Sequence, residues 1–436
     1  MAIANVKTPT VTSTAPASSN RVALAVVTSL FFMWGFVTVL NDVLVPHLKS
    51  IFDLNYAQAS LIQFAFFLAY FIFSIPSAKL IDTIGYKRTM VVGVVVMGMG
   101  ALLFIPAAMA PSYPLFLAAL MVLAGGITAL QVAANPYVAV LGPPETASSR
   151  LNLSQAFNSL GTAIAPYLGG RLILSATSKD INAVRDLSAD ALQAYRVHEA
   201  SSVKLPYLII GLALIGLAIL IALFKLPPMP GAEHHKGDKT AGSVWNHRNL
   251  VLGIVGIFVY VGAEVSIGSY LINYLSQPNI GNISEVAAAK YVSLYWGGAM
   301  VGRFIGSAIL RKVRTGTVLG LAALAASLLV CTSILSIGHV AMLAIILVGF
   351  FNSVMFPSIF TLGIAELGPL TGDGSGLLIM AIVGGALIPL AQGAMADRMG
   401  LHHAFILPAV CYLYIVYYAF RGSRPIVSPK VSEANT

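Results

Sequence analysis

Two carboxylates stand where a hydrocarbon interior is expected. Asp42 lies in FFMWGFVTVLNDVLVPH, residues 31–47, with no basic residue one or two turns upstream. Glu264 lies in VYVGAEVSIG, residues 259–268, with apolar neighbours one turn away on either side. A bare charge in hydrocarbon costs several kcal/mol, so such a carboxyl either faces a wet cavity or carries a proton. The chemistry these residues suit is therefore reversible protonation, and both are candidates for proton coupling. The bland alternatives are an Asp42 solvated near a helix end, beside Pro46 and His47, and a Glu264 hydrogen-bonded to another helix for packing.

Carboxamides accompany the acids. Gln131 and Asn135 are four apart, and Gln155 and Asn158 three apart, so each pair is expected on one helix face. Amides donate and accept, which suits a ligand with adjacent hydroxyls. Their alternative role is interhelical bonding, worth about 0.6 kcal/mol each in a membrane. Asn41 beside Asp42 joins this set, and Asn273 and Asn352 are weaker candidates further on. Trp34, Tyr260, Tyr295, Trp296 and Phe356 are candidates to stack on the apolar face of a ring, or to serve in packing or an interfacial belt. Glu264 also qualifies as a hydroxyl-binding group.

The elements that must position these residues are long apolar helices. Of 436 residues 58% are hydrophobic and only 9% charged, where a soluble domain carries roughly 25% charged; mean hydropathy is +0.85. Apolar runs of about 20 residues, the length that spans a bilayer core, recur along the chain. Twelve spans are expected, near 22–45, 57–81, 89–110, 113–141, 152–175, 204–226, 249–275, 286–310, 316–337, 339–366, 375–397 and 401–420. The first twenty or so residues, rich in Ser, Thr, Ala and Pro, read as a tail without the features of a signal peptide. The organisation is then a tail over 1–21, a six-helix bundle over 22–226, a polar linker over 227–248, a second bundle over 249–421 and a tail over 422–436. A transmembrane barrel would show short alternating segments instead.

The net charge of +9 sits in the short connections between spans, where it signals orientation rather than nucleic-acid binding. Lys87-Arg88, Arg150, Lys236, Lys239, Arg248 and Arg311-Lys312 with Arg314 fall on the side of both termini, which makes that side cytoplasmic. Cys331 and Cys411 lie inside spans, too few for a disulfide framework, and no cofactor or metal site is expected. His234 and His235 have no third ligand. Gly372-Asp373-Gly374-Ser375-Gly376 lacks the lysine of a phosphate loop and reads as a turn before the eleventh span.

The two bundles carry matching marks. Gly161-x4-Pro166-x3-Gly170 in the fifth span recurs 223 residues on as Gly384-x4-Pro389-x3-Gly393 in the eleventh. Leu141-Gly142-Pro143 recurs as Leu367-Gly368-Pro369, and Ile75-x-Ser77-Ala78-x-Leu80 as Ile305-x-Ser307-Ala308-x-Leu310. Three matches in the same order mean that the halves are parallel copies, the plan of a carrier that rocks about a midplane site. Small residues such as Gly161, Gly169, Gly384 and Gly385 suit close helix contact.

Asp82-x-x-Gly85-x-Lys87-Arg88, between the second and third spans, resembles the gating-loop signature of the major facilitator superfamily. Gly302-Arg303-x-x-Gly306, leading into Arg311-Lys312, resembles its partner, with Arg303 expected to snorkel towards the span end. Leu40-Asn41-Asp42-x-Leu44-x-Pro46, Ala133-Ala134-Asn135-Pro136-Tyr137 and Arg150-Leu151-Asn152-Leu153-x-Gln155-x-Phe157-Asn158-Ser159 resemble the fucose:proton symporter family, in particular its bacterial glucose/galactose branch. Val261-Gly262-Ala263-Glu264-Val265-Ser266 and Phe356-Pro357-x-Ile359-Phe360 extend the likeness to the second half. The resemblance implies an all-α integral membrane fold of two pseudo-symmetric six-helix bundles. It implies a non-enzymatic carrier in a bacterial inner membrane that imports a hexose with a proton, Asp42 taking part in the coupling. In the fucose branch a second acid precedes Ala-Ala-Asn-Pro; this chain has Gln131 there. Sodium coupling, and N-acetylglucosamine or fucose as cargo, are the alternatives within the family.

The expected partners are thus a small sugar, a proton and membrane lipid, with the chain acting as a monomer. A channel is disfavoured by the two-fold repeat and the lack of a carbonyl filter or charged ring. An enzyme is disfavoured by the lack of a His or Cys cluster or a nucleophile–His pair in the spans. Asp42→Asn is expected to abolish accumulation of sugar driven by a pH gradient while leaving sugar exchange; a variant that still concentrates sugar would contradict the assignment.

Overall fold

A computed structural model describes residues 17–52, 56–109, 112–173, 203–229 and 242–424, with 188, 191, 197, 200 and 201. Side chains are described within these except at 17–19, 41–51, 56, 57, 59, 60, 169–173 and 286. The structure is helical: α1 Ala17–Phe52, α2 Tyr56–Met109, α3 Tyr113–Val140, α4 Ala147–Ile173 and α5 Lys204–Leu223 form the first half. The second half holds α6 Arg248–Leu275, α7 Glu285–Ile309, α8 Thr315–Leu335, α9 Gly338–Asn352, α10 Met355–Gly363, α11 Thr371–Met380, α12 Gly384–Met399, α13 Leu401–Ala404 and α14 Ile406–Tyr417. Among the described residues nine helices are long and apolar enough to cross a membrane. One of them, within α2, is two helices merged across Gly85; α4 and α7 are as long but more polar. The arrangement is consistent with twelve spans. Helix α1 begins at Ala17, inside the stretch expected to be tail.

Local chemistry sets where the spans turn. Gly85 has φ 79° and ψ 166°, a conformation that a side chain resists, and here α2 reverses direction. The same Asp-x-x-Gly recurs at Asp397-x-x-Gly400, where Gly400 has φ 82° and ψ 150° and ends α12. That echo is not between the two halves' matching loops, and it fits the three-helix inverted repeats nested in carriers of this plan. Orphan carbonyls at two helix ends find side-chain donors. Arg150 donates to Val138 O at 3.2 Å and Pro143 O at 2.9 Å beyond α3. Asn249 Nδ2 reaches Leu362 O, Gly363 O and Ala365 O at 3.0–3.2 Å at the end of α10. The span expected over 339–366 is broken into α9 and α10 around Ser353-Val354. Gly372–Gly376, expected as a turn, instead opens α11.

The repeat read from glycines is present as packing. A Cβ on Gly161 of α4 would collide with the Phe32 carbonyl of α1, and one on Gly384 of α12 with the Phe258 carbonyl of α6. Each half therefore presses its fifth helix onto its first through a missing side chain.

The halves meet at one end. Ser148 Oγ lies 2.6 Å from Thr361 Oγ1 and accepts from Thr315 Oγ1 at 2.9 Å. Ser149 Oγ donates to Ser307 O at 2.7 Å, and Ser307 Oγ to Ser149 O at 3.0 Å. Ser375 Oγ donates to Val132 O at 2.7 Å, and Gly376 sits against Ala78 and Ser74. These hydrogen bonds lie towards the end that carries the Gly85, Pro143–Thr146 and Arg311–Arg314 turns. Ring contacts add to them, such as Phe157–Phe304, 6.0 Å apart, and Phe67 against Gly385.

Gly161→Val and Gly384→Val should each destabilise the protein by about 1–3 kcal/mol, the cost of overpacking, read as a lower melting temperature in detergent. Gly216→Ala, which would meet nothing within 4 Å, should not lower it. Equal melting for all three would contradict the packing account.

Candidate functional site

Glu264 lies near the middle of the 28-residue α6. It is half-buried, yet its Oε1 is shut off from solvent and has no hydrogen-bond partner. Around it stand three fully buried tyrosines. Tyr260, one turn earlier on α6, donates to Asn352 O at 3.1 Å and sits alongside the Glu264 carboxyl. Tyr295 of α7 donates to Glu264 O at 3.4 Å and accepts from Asn352 Nδ2 at 2.8 Å. Tyr412 of α14 lies beside Asn352. Asn352, at the end of α9, is wholly buried and ties α6 to α7 through these hydroxyls. The break between α9 and α10 is what brings its amide and carbonyl to face the tyrosines.

Arg303 faces this cluster from α7. It does not run along its own span to the surface as expected; it turns to the other half. Its guanidinium donates to Ser159 Oγ and, at 3.4 Å, to Gln155 O, both on α4. In return Asn152 Nδ2 donates to Arg303 O at 2.7 Å. Arg303 Nε is buried without a partner, and its charge acts on Glu264 although no hydrogen bond joins the two.

The carboxamides of the first half do not form one lining. Gln155 Nε2 points to Asn135 Oδ1 at 3.5 Å, and Asn135 Nδ2 is buried without a partner. Gln131 Nε2 donates to Tyr70 OH at 2.8 Å. Asn158, expected to share a face with Gln155, turns the other way: its Nδ2 donates to Phe31 O of α1 at 2.9 Å and it covers Gly35. Three residues along a helix rotate the side chain by about 300° at 3.6 residues per turn, enough to send the two amides to different neighbours. Asn158 therefore ties the first and fifth spans together.

The remaining candidates are spread out. Trp34 is buried against Phe31, ring centroids 4.0 Å apart. Phe356 is buried and stacked on Phe360. Trp296 is 43% exposed, edge-on to Tyr295 and packed on Gly268. Asn273 is exposed, nine residues past Glu264 on α6. Of the loop motif, Gly85 makes the turn, Asp82 approaches Gly372 across the halves, and Lys87 Nζ donates to Ala222 O at 2.8 Å; Arg88 is exposed. The side chains of Asn41 and Asp42 lie outside the described residues, as do His234 and His235.

Tyr70 and Tyr412 were not singled out in the sequence, and Asn152 and Ser159 entered only within the family motif. Asn152, Gln155 and Ser159 follow a 3-then-4 spacing that puts them on one face of α4, a signal that was available. Nothing local marks Tyr412, which reaches the cluster only through the packing of the twelfth span on the seventh.

The chain as a whole is similar to known proteins. The sequence profile described as Major Facilitator Superfamily matches residues 22–382. A glucose/galactose transporter of Brucella abortus biovar 1 (strain 9-941) is 52% identical over 417 residues, spanning 95% of this chain and 98% of that protein. The L-fucose-proton symporter of Escherichia coli (strain K12) is 36% identical over 408 residues, spanning 92% and 93%. A crystal structure of a Major Facilitator Superfamily transporter, FucP, in the outward conformation aligns with a TM-score of 0.86 at 35% identity, over 92% of this chain and 98% of that one.

Asn352→Ala removes the amide that donates to the Tyr295 hydroxyl and should cost about 0.5–1.5 kcal/mol, the net worth of one hydrogen bond. Thermal unfolding in detergent measures it, with Asn273→Ala as the exposed comparison expected to melt like the parent. An Asn352→Ala protein as stable as the parent would contradict the network described.

Proposed function

Because the chain belongs to the major facilitator superfamily, and is a multi-pass membrane transporter rather than an enzyme, we propose that it imports a hexose of the glucose/galactose type by proton symport with alternating access. The observation that carries this reading is the Glu264 cluster: a membrane-buried carboxyl, unbonded at Oε1, set beside hydroxyls and amides at the seam between two rocking halves. The names of the relatives, a glucose/galactose transporter and a fucose–proton symporter, support the substrate class and the coupling ion.

The closed seam supplies the state. The turns at that end carry Lys87-Arg88 and Arg311-Lys312, and positive loops face the cytoplasm. On this orientation both termini are cytoplasmic, the membrane is the bacterial inner membrane, and the conformation opens outward. Sugar then enters from outside towards Glu264, Tyr260 and Asn352 on one half and Gln131, Asn135 and Gln155 on the other. Trp34, Asn41, Asn158, Asn273, Trp296 and Phe356 are the second rank of the proposed binding set. Asp42 and Glu264 take the proton. Proton and sugar tighten one another when both favour the same state, which is the source of coupling. The carrier works as a monomer in lipid.

Purified protein in proteoliposomes tests this. Labelled galactose should accumulate under an inward pH gradient in sodium-free buffer, with unlabelled glucose competing and fucose and N-acetylglucosamine competing less. Accumulation that needs sodium, or competition led by one of the other sugars, would overturn the corresponding part of the proposal.

A further inference from the structure

Arg303 holds a position that neither a gating loop nor a sugar ligand requires. Its guanidinium crosses from the second half to the first, bonding Ser159 Oγ and Gln155 O of α4. Glu264, by contrast, belongs to the same half as Arg303, on the neighbouring helix α6. When two bundles rock as rigid bodies, distances within a bundle are kept and distances across the seam are not. The Arg303–Ser159 and Arg303–Gln155 bonds must therefore break as the seam opens, whereas Glu264, on which the Arg303 charge already acts, moves with it.

Both partners are already short of a bond. Arg303 Nε and Glu264 Oε1 are each buried and unpaired in the closed-seam state. A guanidinium stripped of its acceptors in a membrane interior is costly, and a carboxylate answers it in a bidentate way that a hydroxyl and a carbonyl cannot. The other titratable or charged groups acting on Glu264 among the described residues are Tyr260 on its own helix, Tyr295 on α7 and Tyr412 on α14. Arg303 is the cation of that set.

We infer that Arg303 is a partner-exchanging residue: it latches the seam to α4 in the closed-seam state and pairs with the Glu264 carboxylate once the seam has opened. The exchange ties seam opening to proton release. With the seam closed, Arg303 is engaged elsewhere and the Glu264 O–H bond is kept. With the seam open, the O–H bond breaks, the proton passes to water on the opened side, and the carboxylate is held by Arg303. The deprotonated carrier returns with Arg303 and Glu264 still paired, and protonation of Glu264 from the other side then frees Arg303 to remake the latch. This deepens the proton-symport reading and rests on it; Arg303 positions the seam and the acid rather than touching sugar.

The test is a distance, not a transport rate. Spin labels at Glu145→Cys and Lys312→Cys, exposed residues on opposite sides of the seam, go into full-length protein with Cys331→Ser and Cys411→Ala, reconstituted in nanodiscs. Pulsed electron spin resonance then reads the separation at acid and alkaline pH. The long-distance population should rise several-fold on going alkaline in the parent. It should stay low at both pH values in Glu264→Gln, and in Arg303→Gln it should no longer respond to pH. Arg303→Lys, which keeps a cation, should recover part of the response. A purely structural Arg303 would shift the distances in Arg303→Gln equally at both pH values and leave the pH response intact, and that result overturns the inference. A parent without any pH response overturns it as well. If the parent responds as expected but accumulates no hexose on a pH gradient, the transport reading fails while the partner exchange stands.

Discussion

The structure depends on a seam of small hydroxyls. Ser148, Ser149, Ser307 and Thr361 let two helical bundles touch closely enough to hydrogen-bond at one end, with Ser375 repeating the arrangement on the opposite flank. Such bonds are individually modest, about 0.5–1.5 kcal/mol net. A seam of that kind can be closed in one state and opened in another without a large barrier. A core of interlocked leucines would weld the halves together, and a carrier needs the opposite. The large side chains are placed accordingly: Tyr260, Tyr274, Tyr295, Tyr412 and Tyr418 are buried within the second half, not between the halves.

The polar machinery sits where that seam ends. Arg303, Asn152, Gln155 and Ser159 are the innermost inter-half contacts, and Glu264 with its tyrosines lies just beyond them. Any event that changes the charge or hydrogen bonding of the cluster acts on the last bonds of the seam. Likewise any opening of the seam exposes the cluster. Under the proposed alternating access, local chemistry and global conformation would be coupled by this contact.

Much of the fold was legible in the sequence because a bilayer is a severe solvent. Long apolar runs follow from the length of a bilayer core, Gly161 and Gly384 at matched places from close helix contact, and basic residues clustered near turns from the cost of charge in hydrocarbon. Glu264 stood out for the same reason, a carboxyl set in a greasy helix. The contacts of the polar side chains were not legible. Asn158 and Gln155 are three apart and were expected together, yet one bonds α1 and the other approaches Asn135. Arg303 was read from its motif as a residue of the span end. Its real partners lie more than 140 positions away in sequence, on a helix of the other half. Partner choice at a helix–helix seam is set by the rotation of each helix about its axis, and periodicity leaves that rotation undetermined to within a residue or two.

The central claim is that sugar and proton move together through a cluster built around a membrane-buried acid. The most direct measurement is of the proton itself. In lightly buffered, sodium-free proteoliposomes, adding galactose outside should make the external medium alkaline as proton follows sugar inward. The change should vanish when the membrane is made proton-leaky, and should be absent in empty vesicles. Galactose entry with no change in external pH would contradict the account.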